Sequence, residues 1–197
     1  MAQVTNSCRV LDVGSGGRRL APHVMTTDVV TRAGVDVVAD ACKGLPFDSA
    51  TFDLVVCTSV LEHVSSEQKA LAELIRVVKP GGKLWIEVPF IYNFHVSAAG
   101  DTHDYRRWTQ EGCKQLLPGH KLLDHGQNVG PATALRLIAS EVLALPLYRE
   151  RHQGAYYVGR CLLGWLLYPL SWLDKACMRS VMSHRVAGGF WLLWEKV

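Results

Sequence analysis

The sequence predicts an α/β fold built on an open, mostly parallel sheet, and three stretches carry that prediction. The first is Val10-Leu11-Asp12-Val13-Gly14-Ser15-Gly16-Gly17, an apolar run that ends on an acid and meets three glycines within four residues. It reads as a first strand turning tightly at its carboxyl edge. The second is Phe52-Asp53-Leu54-Val55-Val56-Cys57, whose near-continuous apolar character suits a parallel strand covered on both faces. The third is a helix over Ser65–Val78 followed by breakers and a strand over Lys83–Val88, the alternation that makes a crossover unit.

Length and composition set the frame. With 197 residues, 49% hydrophobic and 20% charged, the chain is expected to form a single domain over 1–197 with a sizeable core. A net charge of +3 is too small to indicate a nucleic-acid partner, and none is expected. The cysteines at 8, 42, 57, 113, 161 and 177 form no C-x-x-C pair. That pattern argues against a zinc site or a disulfide framework and for a reducing compartment. No metal site is expected from it. The first residues lack a basic region followed by an apolar core, so no secretory leader and a cytoplasmic location are expected.

Taken in order, residues 1–7 are a polar lead-in. His23–Val30 reads as a second strand ending near Asp28, sixteen positions after Asp12. A helix between the first two strands must then be short or missing. Val35–Asp40 is the third strand, closed by Asp40 at the same edge, and Gly44-Leu45-Pro46-Phe47-Asp48 breaks the chain before the fourth. In the following helix Ser65 and Gln68 suit a capping box, and Leu71, Leu74, Ile75 and Val78 follow helical spacing. Lys79-Pro80-Gly81-Gly82 should stop that helix. A polar and aromatic loop from Ile91 runs through Asp101-Thr102-His103-Asp104-Tyr105-Arg106-Arg107-Trp108. Thr109 can cap a helix to about Leu117, ended by Pro118-Gly119. Lys121–Val129 reads as a sixth strand and Gly188–Glu195 as a closing one.

The acid at the glycine turn narrows the ligand. A dinucleotide fingerprint spaces its glycines G-x-G-x-x-G and brings a pyrophosphate to a helix N-terminus. Here the last glycine comes too early and Asp12 would repel phosphate. An acid there suits a ligand with positive charge, such as an ammonium or a sulfonium. With Leu45-Pro46-Phe47, Phe52-Asp53-Leu54-Val55, Val60-Leu61-Glu62-His63-Val64 and the helix before Lys-Pro-Gly-Gly, the sequence resembles the class I S-adenosylmethionine-dependent methyltransferases of the type 11 branch. The resemblance runs from about residue 8 to about residue 128. It implies a Rossmann-like three-layer sandwich, with a mostly parallel seven-stranded sheet and an antiparallel last strand. The core would be about 8–128 and 186–197, with a helical insertion over about 131–180 before the last strand.

The resemblance also implies a cofactor cradle for S-adenosyl-L-methionine. Asp12, Gly14, Ser15 and Gly16 would form the turn, Asp28 would accept ribose hydroxyls, and Asp40 with the amide of Ala41 would face the adenine. Thr58, Ser59 and His63 follow the fourth strand and would line the methionyl part; a histidine holding the helix start for structure is the alternative for His63. Methyl transfer needs donor and acceptor in line, water excluded, and a proton removed when the acceptor is a hydroxyl or amine. The acceptor should sit over the open edge past strands four and five, near Glu87, Tyr92, Asp104, Tyr105 and Arg106. A histidine is the natural base there: His103 first, His95 second. Arg106 and Arg107 suit a grip on a carboxylate or phosphate, or a solvated doublet before a helix.

Two classes of function follow. One is an enzyme that methylates an O or N atom of a small metabolite, sugar or lipid-like acceptor. The other is a silent relative of the fold that acts as a binding or assembly partner. The insertion bears on both. Cys161–Leu173 carries no charge over 13 residues and contains Pro169. A helix of that length reaches only about 20 Å, short of a bilayer core of roughly 30 Å. Tyr156, Tyr157, Trp165, Tyr168 and Trp172, flanked by Arg160, Lys175, Arg179 and Arg185, suit a lid, a homodimer face, or a peripheral seat on the inner face of a membrane.

Overall fold

The computed structural model describes residues 8–96 and 103–197. The lead-in over 1–7 and Asp101-Thr102 of the polar loop lie outside the described residues. Strands β1 (Val10–Val13), β2 (Met25–Asp28), β3 (Val37–Val38), β4 (Phe52–Thr58), β5 (Val78–Pro89), β6 (Lys121–Val129) and β7 (Gly189–Glu195) form one sheet in the order β3-β2-β1-β4-β5-β7-β6. β1 to β5 pair in parallel. β7 runs the other way: Lys196 donates to Gly82 beside one end of β5, and Phe90 donates to Gly188 beside the other. Two compact units divide the chain. One comprises Met1–Val88, His95–Gly126 and Trp191–Val197, the other Pro89–Phe94 and Gln127–Phe190.

In the first unit, α1 (Glu67–Val77) lays Ala70, Leu71, Leu74 and Val77 into a core shared with Leu11, Val55, Leu84 and Ile86. Its cap is Ser66 rather than Ser65. Ser66 sits in extended backbone and its Oγ accepts the Lys69 amide at 3.4 Å, and because Lys69 has no acceptor to return the bond, this is a simple cap and not the expected capping box. Lys79-Pro80-Gly81-Gly82 lies inside β5. The sheet register skips there, with Phe52 opposite Val78 and Leu54 opposite Lys83, and Gly81 takes a φ of 72°. The breakers therefore make a bulge, and the helix runs directly into the strand. Between β1 and β2 no helix forms; residues 14–24 cross in turns. β3 shrinks to two residues, with Asp40 in a separate bridge to Gly44. α2 (Gln110–Lys114) is shorter than expected, although Thr109 caps it as expected through the Gly112 amide at 3.1 Å.

In the second unit, α3 (Pro131–Ala144), α4 (Gly154–Leu166) and α5 (Asp174–Cys177) are joined by 3-10 turns at Leu145–Leu147 and Tyr168–Leu173. Asp174 caps α3 from outside it, accepting from the Ala132 amide at 2.7 Å and the Thr133 amide at 3.2 Å. That placement satisfies the free amides of a helix start that Gly130 cannot cap with a side chain. Arg136 donates to Ser171 Oγ at 2.9 Å and to the Gly164 carbonyl at 3.1 Å, tying α3 to the α4 end and the turn after it. Glu141 accepts from Tyr156, Arg160 and Asn93. These polar ties leave a broad apolar surface in solvent: Trp165 is 85% exposed, Leu166 74%, Trp172 67% and Leu162 65%. Among the described residues, no helix is long and apolar enough to cross a membrane.

Candidate active site

At the carboxyl ends of β1, β2 and β4 lies a cleft of about 320 Å³, within the range of small-molecule sites. Its walls include Val13, Gly14, Asp28, Asp40, Ala41, Ser59, Val60, His63, His103 and Tyr105. Thus Gly14, Asp28, Asp40, Ala41, Ser59 and His63, read from sequence as cofactor residues, come together on one surface. Asp28 is the most constrained. Only 5% exposed, it accepts the Gly16 amide at 2.8 Å on one oxygen and the Val30 amide at 3.1 Å on the other. Each oxygen keeps a lone pair for a further donor. Asp40 accepts the Cys42 amide at 2.8 Å and pairs with Lys43 at 3.2 Å.

The glycine turn is set by close packing. Gly14 has φ +71°, and a Cβ there would stand 2.2 Å from Val60 Cγ2. Gly14 and Ser15 both donate to the Thr27 carbonyl, at 2.9 and 3.0 Å, which draws β1 and β2 together under the cleft. Asp12 and Ser15 are buried and are not among the cleft walls. Asp12 receives Arg18 on both oxygens at 3.2–3.3 Å. Burial pushes its carboxyl up and Arg18 works against that rise. The positive partner expected of Asp12 is thus supplied in this structure by the chain itself, on a side chain that is 47% exposed. Thr58 ends β4 and stays outside the cleft walls.

The loop after β5 separates into contributions of different kinds. His103 and Tyr105 line the cleft with their rings stacked at 5.2 Å. Arg106 faces the protein: it donates to the Val64 and Ser65 carbonyls at 2.6 and 3.1 Å and pairs with Glu67 at 2.7 Å. It fastens the loop to the start of α1, so the donors expected to face a ligand are engaged within the protein. Asp104, also read as a substrate residue, is a buried anchor. Its carboxylate takes the fork of Arg107 and the His95 amide at 3.0 Å. Burial opposes its charge, but these partners outweigh it and hold the carboxyl down at about 2. Glu87 pairs internally with Trp85 Nε1 at 3.0 Å. Tyr92 belongs to the second unit and is 37% exposed there.

Beside the cleft, His63 and His95 meet edge to face with their Nε2 atoms 3.2 Å apart. Glu62 lies next to them, fully buried, with neither carboxylate oxygen in a hydrogen bond. Burial pushes its carboxyl up to about 7. Glu62 was not read from sequence as a site residue, although the adjacency of an acid and a histidine in Leu61-Glu62-His63-Val64 was an available signal. Arg107, read with Arg106 as a grip on an anionic ligand, forks onto Asp104 instead.

An open parallel sheet with a ligand cleft over its carboxyl edge and carboxylates at the ends of β2 and β3 defines a nucleoside-cofactor-binding α/β protein. Comparison with known proteins supplies the family. The "Methyltransferase domain" family matches residues 11–86. The chain is 38% identical over 92 residues to a demethylmenaquinone methyltransferase of Renibacterium salmoninarum, covering 39% of each chain. It is 30% identical over 164 residues to the ubiquinone/menaquinone biosynthesis C-methyltransferase UbiE of Ralstonia nicotianae, covering 59% of this chain and 68% of that one. The crystal structure of MccD protein shares the fold at 14% identity, with a TM-score of 0.59 over 98% of this chain and 92% of that one. The chain belongs to the class I S-adenosylmethionine-dependent methyltransferases, and S-adenosylmethionine is its cofactor. The cleft fits that group: its volume, its apolar walls and the spare lone pairs of Asp28 suit a nucleoside.

Proposed function

We propose that the protein methylates a hydroxyl or amine of a lipophilic small molecule that it meets at a membrane surface. The observation that carries this reading is the exposed aromatic and aliphatic surface of α4 and the turn after it, centred on Trp165 and Trp172. Arg160, Lys175, Arg179 and Arg185 are exposed in the same unit. Aromatic and aliphatic side chains with cationic neighbours are the composition of an interfacial helix, held by apolar burial and by attraction to anionic lipid. The quinone-pathway names of the relatives agree with a lipophilic acceptor.

In this reading Asp28 and Asp40, with the Ala41 amide, hold the nucleoside, and Gly14 and Gly16 shape the turn beneath it. S-adenosylmethionine, when bound, supplies a methyl carbon already activated by its sulfonium. His103, exposed at the cleft and stacked on Tyr105, takes the acceptor's proton. Tyr105 orients that ring, and Arg106 fixes the loop that carries both.

A flotation assay with methyl-transfer readout tests the proposal. Vesicles of anionic or neutral lipid carry a hydroxylated aromatic ring with a polyprenyl tail, and a short-tailed analogue serves in solution. The wild type should float with anionic vesicles and methylate the long-tailed acceptor faster. The Trp165→Glu, Trp172→Glu double variant should stay below and keep its rate on the short-tailed acceptor. A wild type that stays below with both vesicle types, or methylates neither acceptor, overturns the reading.

A further inference from the structure

We propose that Glu62, His63 and His95 form a binding site for one divalent transition-metal ion of the zinc class, beside the cleft that His63 lines. Each offers one ligand atom, and those atoms lie within 4.8 Å of one another. Two imidazoles with one carboxylate are a donor set that zinc and ferrous sites share, and three protein ligands leave a coordination position open.

The hydrogen-bond partners fix which nitrogens face inward. His63 Nδ1 stands 2.6 Å from the His103 carbonyl oxygen, an acceptor only, so Nδ1 carries the proton and Nε2 presents a lone pair. His95 Nδ1 stands 3.5 Å from the Asp104 carboxylate, and a proton held on that side leaves the Nε2 lone pair turned toward His63. In that tautomer two nitrogen lone pairs face each other at 3.2 Å, a spacing a shared cation would hold. Glu62 Oε1 is 3.7 Å from His95 Nε2. Three electron-rich atoms gathered around one point, one of them a buried carboxylate without a hydrogen bond, are costly unless a cation stands among them.

The distances suit a metal. Two nitrogens bound to zinc at about 2.0–2.1 Å in tetrahedral geometry stand about 3.3 Å apart, close to the 3.2 Å between His63 and His95. Glu62 Oε1, 3.7 Å from His95 Nε2, would move closer to complete the third bond. Outer partners are present as well. Asp104 holds His95 and is itself clamped by Arg107, and the His103 carbonyl holds His63; such contacts orient ligand histidines. His63 also lines the cleft, with His103 and Tyr105. The open position would face an acceptor there, and it favours an ionisable oxygen, such as a phenol or enol, over an amine. That choice of acceptor rests on the methyl-transfer reading above; the metal site does not.

Cobalt(II) is the probe. Chelator-treated full-length protein is titrated with Co²⁺ and the visible d–d absorption is followed, then Zn²⁺ is added in competition. One equivalent should produce a saturable band that Zn²⁺ abolishes. Glu62→Gln and His95→Ala should each weaken Co²⁺ binding by at least about tenfold, while His184→Ala, remote in sequence and outside the cluster, leaves it unchanged. S-adenosylmethionine titration of the Glu62→Gln protein monitors the fold and keeps the two readings separable. Retained cofactor binding with unchanged Co²⁺ affinity in that variant overturns the metal site and leaves the methyltransferase reading intact. A wild type with no saturable Co²⁺ or Zn²⁺ binding overturns it too, and assigns the space between the rings to a shared proton.

Discussion

Replacing Gly14 by alanine separates two costs that the turn under the cleft avoids. The first is conformational: φ at this position is +71°, and an L-residue in that region costs about 1–2 kcal/mol. The second is steric. The new Cβ would stand 2.2 Å from Val60 Cγ2 and 3.4 Å from Val60 Cβ, so one methyl of Val60 carries the overlap. Overpacking of this kind costs about 1–3 kcal/mol. Together Gly14→Ala should lose about 2–5 kcal/mol, a fall in Tm of about 4–20 °C for a domain of this size. Val60→Ala removes the offending methyl. In that background Gly14→Ala should cost only the conformational part, giving a coupling of about 1–3 kcal/mol between the two positions. Thermal or urea unfolding of the wild type, both single variants and the double variant measures this. An unchanged Tm for Gly14→Ala, or equal costs in the two backgrounds, would refute the packing argument.

Three further outcomes follow from the same geometry. His103→Ala should lower turnover by about 10²–10⁴ with little change in cofactor affinity, read by steady-state rates beside calorimetry; a full rate would remove His103 as the base. Cys161 is exposed, whereas burial pushes the Cys57 thiol up and the Cys113 thiol up to about 12. Iodoacetamide at neutral pH should therefore modify Cys161 in the native protein and reach Cys57 and Cys113 only on unfolding, as mass mapping would show. Arg19 donates to Asp36 at 2.6 Å and, with the Thr26 amide, holds its carboxyl down at about 2 against an ordinary 3.8. The stabilisation is present above pH 4 and is lost as pH falls toward 2. Asp36→Asn should flatten that part of the stability–pH curve; an unaltered curve would contradict the pairing.

Legibility in the sequence tracked how local each cause was. The acids at Asp28 and Asp40 and the glycines at 14 and 16 were readable because strand ends and tight turns are written in adjacent residues, and the structure gathers Gly14, Asp28 and Asp40 on one cleft. The cap at Ser66 was missed by one position because Ser65 and Ser66 carry the same chemistry and only backbone geometry separates them. Lys-Pro-Gly-Gly reads as a helix stop by composition, but the sheet partner across from it turns the same residues into a bulge. Pairing across distance was not readable at all. Arg106 reaches carbonyls more than forty residues away, and Asp104 is spent on Arg107 and His95. Asp12 looked poised for a cationic ligand, and Arg18 occupies it. Glu62 was overlooked because a carboxylate left without a hydrogen bond in the core looks in sequence like one in solvent. Only the fold around it reveals the difference.

The central claim is that the carboxyl edge of β1, β2 and β3 holds S-adenosylmethionine through Asp28. Isothermal titration of the wild type and of Asp28→Ala with S-adenosylmethionine and with NAD measures it directly. The wild type should bind S-adenosylmethionine saturably and NAD not at all. Asp28→Ala should bind S-adenosylmethionine more weakly by roughly 1–3 kcal/mol, the scale for a buried hydrogen-bonding group left unpaired. No heat with S-adenosylmethionine, or equal affinity in the two proteins, would contradict the account.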